Sequence, residues 1–384
     1  MSRESADRPN RSPRGRWAAT ALSACGAVIA LLATAVPAHG APGPGSGHTT
    51  ARARAASAVE AMMGFYEEDT GRWDSDAPWW QSGNALQALL DYVQRTGDRR
   101  YLKAAEHTVA LQRAPLPWWP EGGGEFRADS TDDTGWWALA MVRLYDLTHD
   151  RRYLRIAELD EAYMRSYGDD LCGGGIYWDI PGATYKNAIS NELYLKLAAS
   201  LHNRIPGDRV YLARARESWE WFRDSGMING EHLVNDGLTT QNRTCDNNGG
   251  PTWTYNQGVL LGGLTELYRA TGDRSLLAQA RRTADAVVAS PALSPAGILT
   301  EPCEPDGCGL DGPAFKGVFA RNLAELDAVL PGRPYRAYLA AQARSAYAFS
   351  RNDRDQYGLS WRGPFDGADI ARQESAVSLL TAVL

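Results

Sequence analysis

Thr96-Gly97-Asp98-Arg99-Arg100-Tyr101-Leu102 is a stretch that this chain repeats, and its reading decides the fold. It returns as Thr148-His149-Asp150-Arg151-Arg152-Tyr153-Leu154, then as Pro206-Gly207-Asp208-Arg209-Val210-Tyr211-Leu212. A fourth copy is Thr271-Gly272-Asp273-Arg274-Ser275-Leu276-Leu277, and Leu330-Pro331-Gly332-Arg333-Pro334-Tyr335 is a worn fifth. Each copy has the chemistry of a tight helix–helix turn. Gly supplies the left-handed conformation that stops one helix. Asp accepts backbone N–H bonds and starts the next. An aromatic or Leu then opens a new apolar stripe. Repetition of such a unit marks an array of helical hairpins.

The helices on either side of each turn differ in kind. After the turn, Tyr211, Leu212, Ala215, Trp219 and Phe222 share one face, with Arg214, Glu217, Glu220 and Arg223 elsewhere. One wet and one dry face mark an outer helix. Before the turn, segments such as Ala85–Leu90 and Val259–Leu264 carry few charges, as helices buried on most sides do. The pattern predicts about twelve helices in six outer–inner pairs. Inner helices are expected to start near 83, 133, 187, 254, 316 and 371, and outer ones near 52, 99, 151, 208, 274 and 334. Short turns lead from inner to outer helix and long segments from outer to inner. That alternation predicts an all-α (α/α)6 barrel over 51–384, with every long loop on the face that holds the inner-helix N-termini. An open superhelix of hairpins is the competing architecture.

That loop face concentrates unusual residues. Of the 13 Trp in the chain, only Trp17, Trp219 and Trp221 lie away from the long segments and inner-helix starts. An indole matches the C–H face of a pyranose and its N–H can bond a hydroxyl, so a Trp-lined cleft points to carbohydrate; part of the set is expected to anchor loops instead. Thr131-Asp132-Asp133-Thr134-Gly135-Trp136-Trp137 places two adjacent carboxylates at an inner-helix start, where the helix dipole favours negative charge. A single Asp there reads as an N-cap. Two together repel, so one pKa should rise. Glycoside hydrolysis needs that asymmetry, one carboxylate and one carboxylic acid. Consecutive helical residues diverge by about 100°, which allows carboxyl groups about 5 Å apart and suits a retaining mechanism. Gln81, Asn84, Asn187, Asn191, Tyr255, Asn256, Gln257 and Lys316 recur at inner-helix starts with the donors and acceptors that sugar hydroxyls need, helix capping being the competing role. Of these, Asn84, Asn191, Tyr255, Asn256 and Lys316 form the expected substrate-binding set with Trp80 and Trp137. Asp169-Asp170, Glu301, Glu304, Asp306 and Asp246 read as loop structure.

Composition narrows the function classes. Arg3, Arg8, Arg11, Arg14 and Arg16 precede an apolar run from 17 to 36, and Ala38-His39-Gly40 offers a small-residue cleavage site. Residues 1–40 therefore read as a secretory signal peptide and 41–50 as a flexible segment, the alternative being a membrane anchor. Cleavage would make the chain more negative than its overall −6. A negative chain without a basic block is a poor partner for nucleic acid, and no later segment is apolar enough to span a bilayer. The protein is expected to be extracellular, off the membrane after cleavage, and monomeric. Cys172, Cys245, Cys303 and Cys308 suggest disulfides in an exported chain. Cys303 with Cys308 would close a small loop and Cys172 with Cys245 would link two long segments, though four cysteines permit three pairings. No CxxC or histidine spacing suggests zinc.

The chain resembles glycoside hydrolase family 76, the endo-α-1,6-mannanases. The resemblance rests on Asp132-Asp133-Thr134-Gly135-Trp136-Trp137-Ala138-Leu139-Ala140, Gly174-Gly175-Ile176-Tyr177-Trp178, Tyr185-Lys186-Asn187-Ala188-Ile189-Ser190-Asn191, Thr254-Tyr255-Asn256-Gln257-Gly258 and Phe315-Lys316-Gly317-Val318-Phe319. It implies the (α/α)6 barrel and retaining cleavage of α-1,6-linked mannan or mannooligosaccharide. It also implies Asp132 as nucleophile and Asp133 as general acid/base, and no metal or organic cofactor. The competing functions are transglycosylation within the family, a toroid enzyme acting on uronides, and a mannan-binding protein without catalysis.

Overall fold

The structure is a computed structural model that describes residues 50–240 and 243–384. The signal peptide read at 1–40, and residues 41–49, lie outside the described residues. Twelve α-helices occur among those described. The outer ones are α1 (Ala51–Met63), α3 (Leu102–Gln112), α5 (Arg151–Ser166), α7 (Val210–Asp224), α9 (Arg274–Ala289) and α11 (Arg336–Phe349). The inner ones are α2 (Trp79–Thr96), α4 (Thr131–Thr148), α6 (Ala188–Arg204), α8 (Thr254–Thr271), α10 (Gly312–Val329) and α12 (Ile370–Ala382). Each inner helix packs on the next inner one, and α12 returns to α2. That last contact closes the ring, so the open superhelix is ruled out and the (α/α)6 toroid stands. All twelve starts fall within four residues of the sequence expectation.

The two kinds of helix behave as their composition requires. Every residue of α2 from Trp79 to Val93 is buried, as is every residue of α6 from Ala188 to Leu201. On α9 only the stripe Leu276, Leu277, Ala280, Thr283, Ala284 and Val287 is buried. The turn motifs act as their residues dictate. Gly97 ends α2 at φ 72° and its N–H reaches Val93 O at 2.8 Å. The Asp150 carboxylate accepts the Arg152 N–H at 2.9 Å and starts α5. Two glycines let inner helices touch backbone to backbone. A Cβ at Gly258 would lie 2.5 Å from the Phe319 Cα, and one at Gly317 would lie 2.3 Å from the Ser375 Cα.

The two ends of the barrel are built differently. The inner-helix C-termini surround a cavity of about 590 Å³ lined by charged side chains. Arg143 bridges Asp91 at 2.7 Å and Glu325 at 3.0 Å, and Lys196 reaches Glu325 at 2.9 Å. Arg204 joins Asp146 at 2.7 Å and Glu266 at 3.2 Å. Burial opposes the Glu325 charge, but Lys196 and Arg143 outweigh it and hold the carboxyl down at about 2. Among the described residues, sheet is confined to two short hairpins on the other face, Tyr66–Glu67 with Arg72–Trp73 and Leu238–Thr239 with Asp246–Asn247.

Glu325→Gln strips the shared carboxylate from two buried cations, and breaking such a pair costs about 3–5 kcal/mol. Thermal unfolding at pH 7 should show the loss. Because the folded pKa is depressed from 4.5 to about 2, the wild-type advantage should shrink as pH falls between those values. Equal stability of the two proteins at pH 7 would refute the network's role.

Candidate active site

The long loops of the inner-helix N-terminal face are tied to one another, and the ties position the site. The Lys186 ammonium is fully buried. It donates to Asp169 Oδ1, Leu171 O and Gly174 O, each at 2.7 Å. Disulfides join Cys172 to Cys245 and Cys303 to Cys308. The first links the loop before α6 to the loop before α8. Glu301 serves the start of α8 from another loop, accepting the Thr254 N–H at 3.0 Å. The acids read from sequence as loop structure thus act as such at Asp169, Glu301 and Glu304.

The start of α4 is clamped by the loop before α6. Thr131 N donates to Trp178 O at 2.9 Å, and Thr131 Oγ1 donates to Tyr177 O at 2.7 Å. Asp132 and Asp133 follow in the first turn, and both line a cleft of about 490 Å³ at the mouth of the ring. Neither is sealed beneath the surface. The floor is aromatic. Trp80 stacks on Trp136 at 5.9 Å, Trp136 on Tyr255 at 6.3 Å, and Tyr255 on Phe315 at 3.9 Å. Phe315 returns to Trp80 at 6.4 Å, so rings from α2, α4, α8 and α10 close a circuit. The walls carry hydrogen-bonding groups. Trp80 Nε1 donates to Asp311 Oδ1 at 2.9 Å. Tyr185 donates its hydroxyl proton to Asp236 Oδ2 at 2.6 Å. Trp178 and Asn187 complete that side.

The electrostatics separate the two acids. Burial lifts the Asp132 carboxyl to about 6, against donors that favour its anion: the Ser130 side chain, the Asp133 N–H and the Trp178 side chain. The Asp133 N–H lies 3.0 Å from Asp132 Oδ1. Burial lifts Asp133 well above the usual carboxylate range, and the charges of Asp132, Asp129 and Asp311 push it further. Ser130 serves both acids, but Asp132 has the further donors and Asp133 the added like charges, so Asp133 is the weaker acid of the pair. Among the described residues, no group of three or more His, Cys, Asp or Glu is arranged to hold a metal.

The structure brings together only part of the expected binding set. Trp80 and Tyr255 line the cleft. Trp137 does not: it is fully buried and lies flat on Phe126 at 4.7 Å and on Trp79 at 5.0 Å. Neighbours on a helix point about 100° apart, so Trp136 takes the axial direction and Trp137 the interlayer one. Asn191 is buried and pins its loop through Ile176 N at 2.8 Å and Ile176 O at 3.1 Å. Asn84 is buried one turn below the floor and accepts a bond from Arg321. Asn256 is buried beside Asp236, whose charge it favours. Lys316 is fully buried, bonded to Glu304 and to Leu359 O at 2.7 Å, with the Trp361 ring 4.9 Å away. These five are supports rather than cleft residues.

The site also gains residues outside the expected binding set. Trp136, Trp178, Tyr185 and Phe315 lay inside the motif segments, and Asn187 stood among the polar residues at inner-helix starts. Asp311 had one signal, its place directly before α10, and Asp236 had none.

Comparison with known proteins agrees with this geometry. The family profile described as glycosyl hydrolase family 76 matches residues 50–384. Mannan endo-1,6-alpha-mannosidase DCW1 of Saccharomyces cerevisiae is 28% identical over 340 residues, covering 82% of this chain and 74% of that protein. Mannan endo-1,6-alpha-mannosidase DFG5 of Candida albicans is 27% identical over 354 residues, covering 85% and 78%. The α-1,6-mannanase GH76A of Salegentibacter sp. HEL1_6 superposes with a TM-score of 0.79 at 25% identity, covering 87% of this chain and 98% of that one. In that structure two consecutive aspartates are replaced, the variant is inactive, and α-1,6-mannotetrose is bound. With its profile match running through the whole described barrel, this chain belongs to glycosyl hydrolase family 76.

Proposed function

We propose that this protein is an exported, retaining glycosidase that cuts internal α-1,6-mannosyl bonds of mannan. The observation that carries the reading is the adjacent pair Asp132 and Asp133, unequal in acidity, above a closed circuit of aromatic rings. The mannanase activity printed for the relatives, and the paired aspartates altered in the inactive Salegentibacter variant, support the same chemistry.

The steps follow from the two environments. The Asp132 carboxylate attacks the anomeric carbon and forms the glycosyl–enzyme bond. As the glycosidic bond breaks, Asp133 gives its proton to the leaving O6. Asp133, now ionised, takes a proton from water, whose oxygen attacks the anomeric carbon and releases Asp132. Trp136 and Trp80 present apolar faces to the ring, and Asp236, Tyr185 and Asn187 are placed to bond hydroxyl groups. The cleft lining contains Asp132, Asp133, Asp236 and Asp311 and neither Arg nor Lys, which favours a neutral sugar over a uronide. Export is supported by the Arg-rich, apolar N-terminal sequence and by two disulfides.

Three outcomes test the assignment. Asp132→Asn should lower kcat on linear α-1,6-mannan by at least about a thousandfold with the fold intact. Since burial raises the folded pKa of Asp132 from 3.8 to about 6, its ionisation costs stability as pH rises through that range. The Asn variant should therefore melt above wild type at pH 7.5, by on the order of 1–3 kcal/mol, and lose that advantage near pH 4. Unimpaired turnover in the variant would remove the nucleophile role.

The pH profile of kcat/KM should rise through about 6 as the pair loses its first proton and fall where it loses the second. A rate that is flat across that range would contradict acid/base work by these residues. NMR of the first-formed product should show the α anomer. The β anomer would mean inversion, and products longer than the substrate would mean transfer rather than hydrolysis.

A further inference from the structure

The loop between α3 and α4 holds one aromatic that neither the cleft nor the core absorbs. Leu116-Pro117-Trp118-Trp119 forms a tight turn, closed by Trp119 N donating to Leu116 O at 3.0 Å. Pro117 stands at the first corner, where its fixed φ suits the turn. Both shoulders are tied down. Leu116 is buried. The Trp119 indole donates to the Tyr163 hydroxyl at 2.8 Å, which in turn donates to Ala128 O at 2.8 Å. Trp118, at the second corner, is 51% exposed. It meets the Trp79 ring edge-on at 6.1 Å, and its indole N–H has no hydrogen-bond partner among the described residues.

This is an expensive residue for that position. A small polar side chain would satisfy the turn. An indole standing half in water leaves apolar surface uncovered that burial would stabilise. The turn fixes the backbone that carries the indole, and the edge-on contact with Trp79 restrains the ring, which limits the freedom lost when something covers it. Its place is on the face that holds the cleft: the loop leads into the first turn of α4, where Asp132 and Asp133 stand, and Trp79, whose ring it meets, opens α2 one residue before Trp80 of the cleft floor.

We propose that Trp118 is an outlying sugar platform that takes mannosyl units of the polymer beyond those held in the cleft. The inference rests on the mannanase reading above and extends it to long substrates. The occupant is a further stretch of the same neutral α-1,6-linked chain. A pyranose C–H face would lie on the indole, and the free indole N–H would bond a hydroxyl.

The test compares wild type, Trp118→Ala and Trp118→Phe on two substrates, linear α-1,6-mannan and α-1,6-mannotetraose. Trp118→Ala should raise KM for the polymer roughly threefold to tenfold, leaving kcat and the tetrasaccharide kinetics unchanged. Trp118→Phe should recover part of the loss, and all three proteins should melt together. An equal effect on both substrates would place Trp118 in service of the catalytic centre or the fold, and no effect on either would make it a bystander. Either result overturns the proposal while the mannanase reading stands on the wild-type rates. Wild-type protein inert on both substrates would overturn that reading and this one with it.

Discussion

Two negative charges on neighbouring residues, held where water is scarce, form the constraint around which this molecule is arranged. Asp132 and Asp133 each face a burial cost, and each adds to the other's. The N-terminus of α4 offsets part of it. The remaining compensation is uneven. Ser130 serves both, but Trp178 and the Asp133 N–H direct further donors at Asp132, whereas Asp129 and Asp311 add negative charge near Asp133. One acid is thereby made the easier to ionise and the other the better proton store. Among the described residues neither Arg nor Lys lines the cleft beside the pair, and a cation there would erase the difference.

Holding that arrangement requires walls that do not move, and loops by themselves do not supply such walls. Here the loop face is stapled. Lys186 gathers the carbonyl groups of one loop as a bound cation would, and Lys316 joins two others under Trp361. A disulfide ties the loop carrying Trp178 and Tyr185 to the one carrying Asp236. Lys316 and Asn191, expected to touch substrate, instead fix the loops of the face that holds the cleft. Their burial explains the exchange: a fully desolvated ammonium or amide is stable only when its donors are used, and here backbone carbonyls and the Glu304 carboxylate use them.

The barrel thus divides its polar residues by function. At the inner-helix C-termini, buried charges are paired, with Glu325 shared between Lys196 and Arg143. At the N-termini the carboxylates of the cleft are left without cations and stand over aromatic rings. Trp136 belongs to both regions. Its indole floors the cleft, and the Arg321 guanidinium lies 5.7 Å from its ring centroid. The same ring therefore separates an interior of paired charges from a cleft of carboxyl groups without cations.

The alternation of helices, the turns between them and the position of the acid pair were legible in the sequence, because each depends on local chemistry. Gly97 and Asp150 stop and start helices through their own backbone and side-chain bonds, and an apolar stripe shows its period in any context. Which residues face the cleft was not legible in that way. Trp136 and Trp137 are adjacent and chemically identical, and only the rotation of α4 within the closed ring sends one to the axis and the other between the layers. Asp236 sits in a long loop without periodicity, brought to the cleft by contacts with Tyr185 and by a disulfide to a distant segment. Local patterns determine what each helix is. Helix phase and loop path are decided by packing among residues far apart in the chain, and that exists only once the ring has closed.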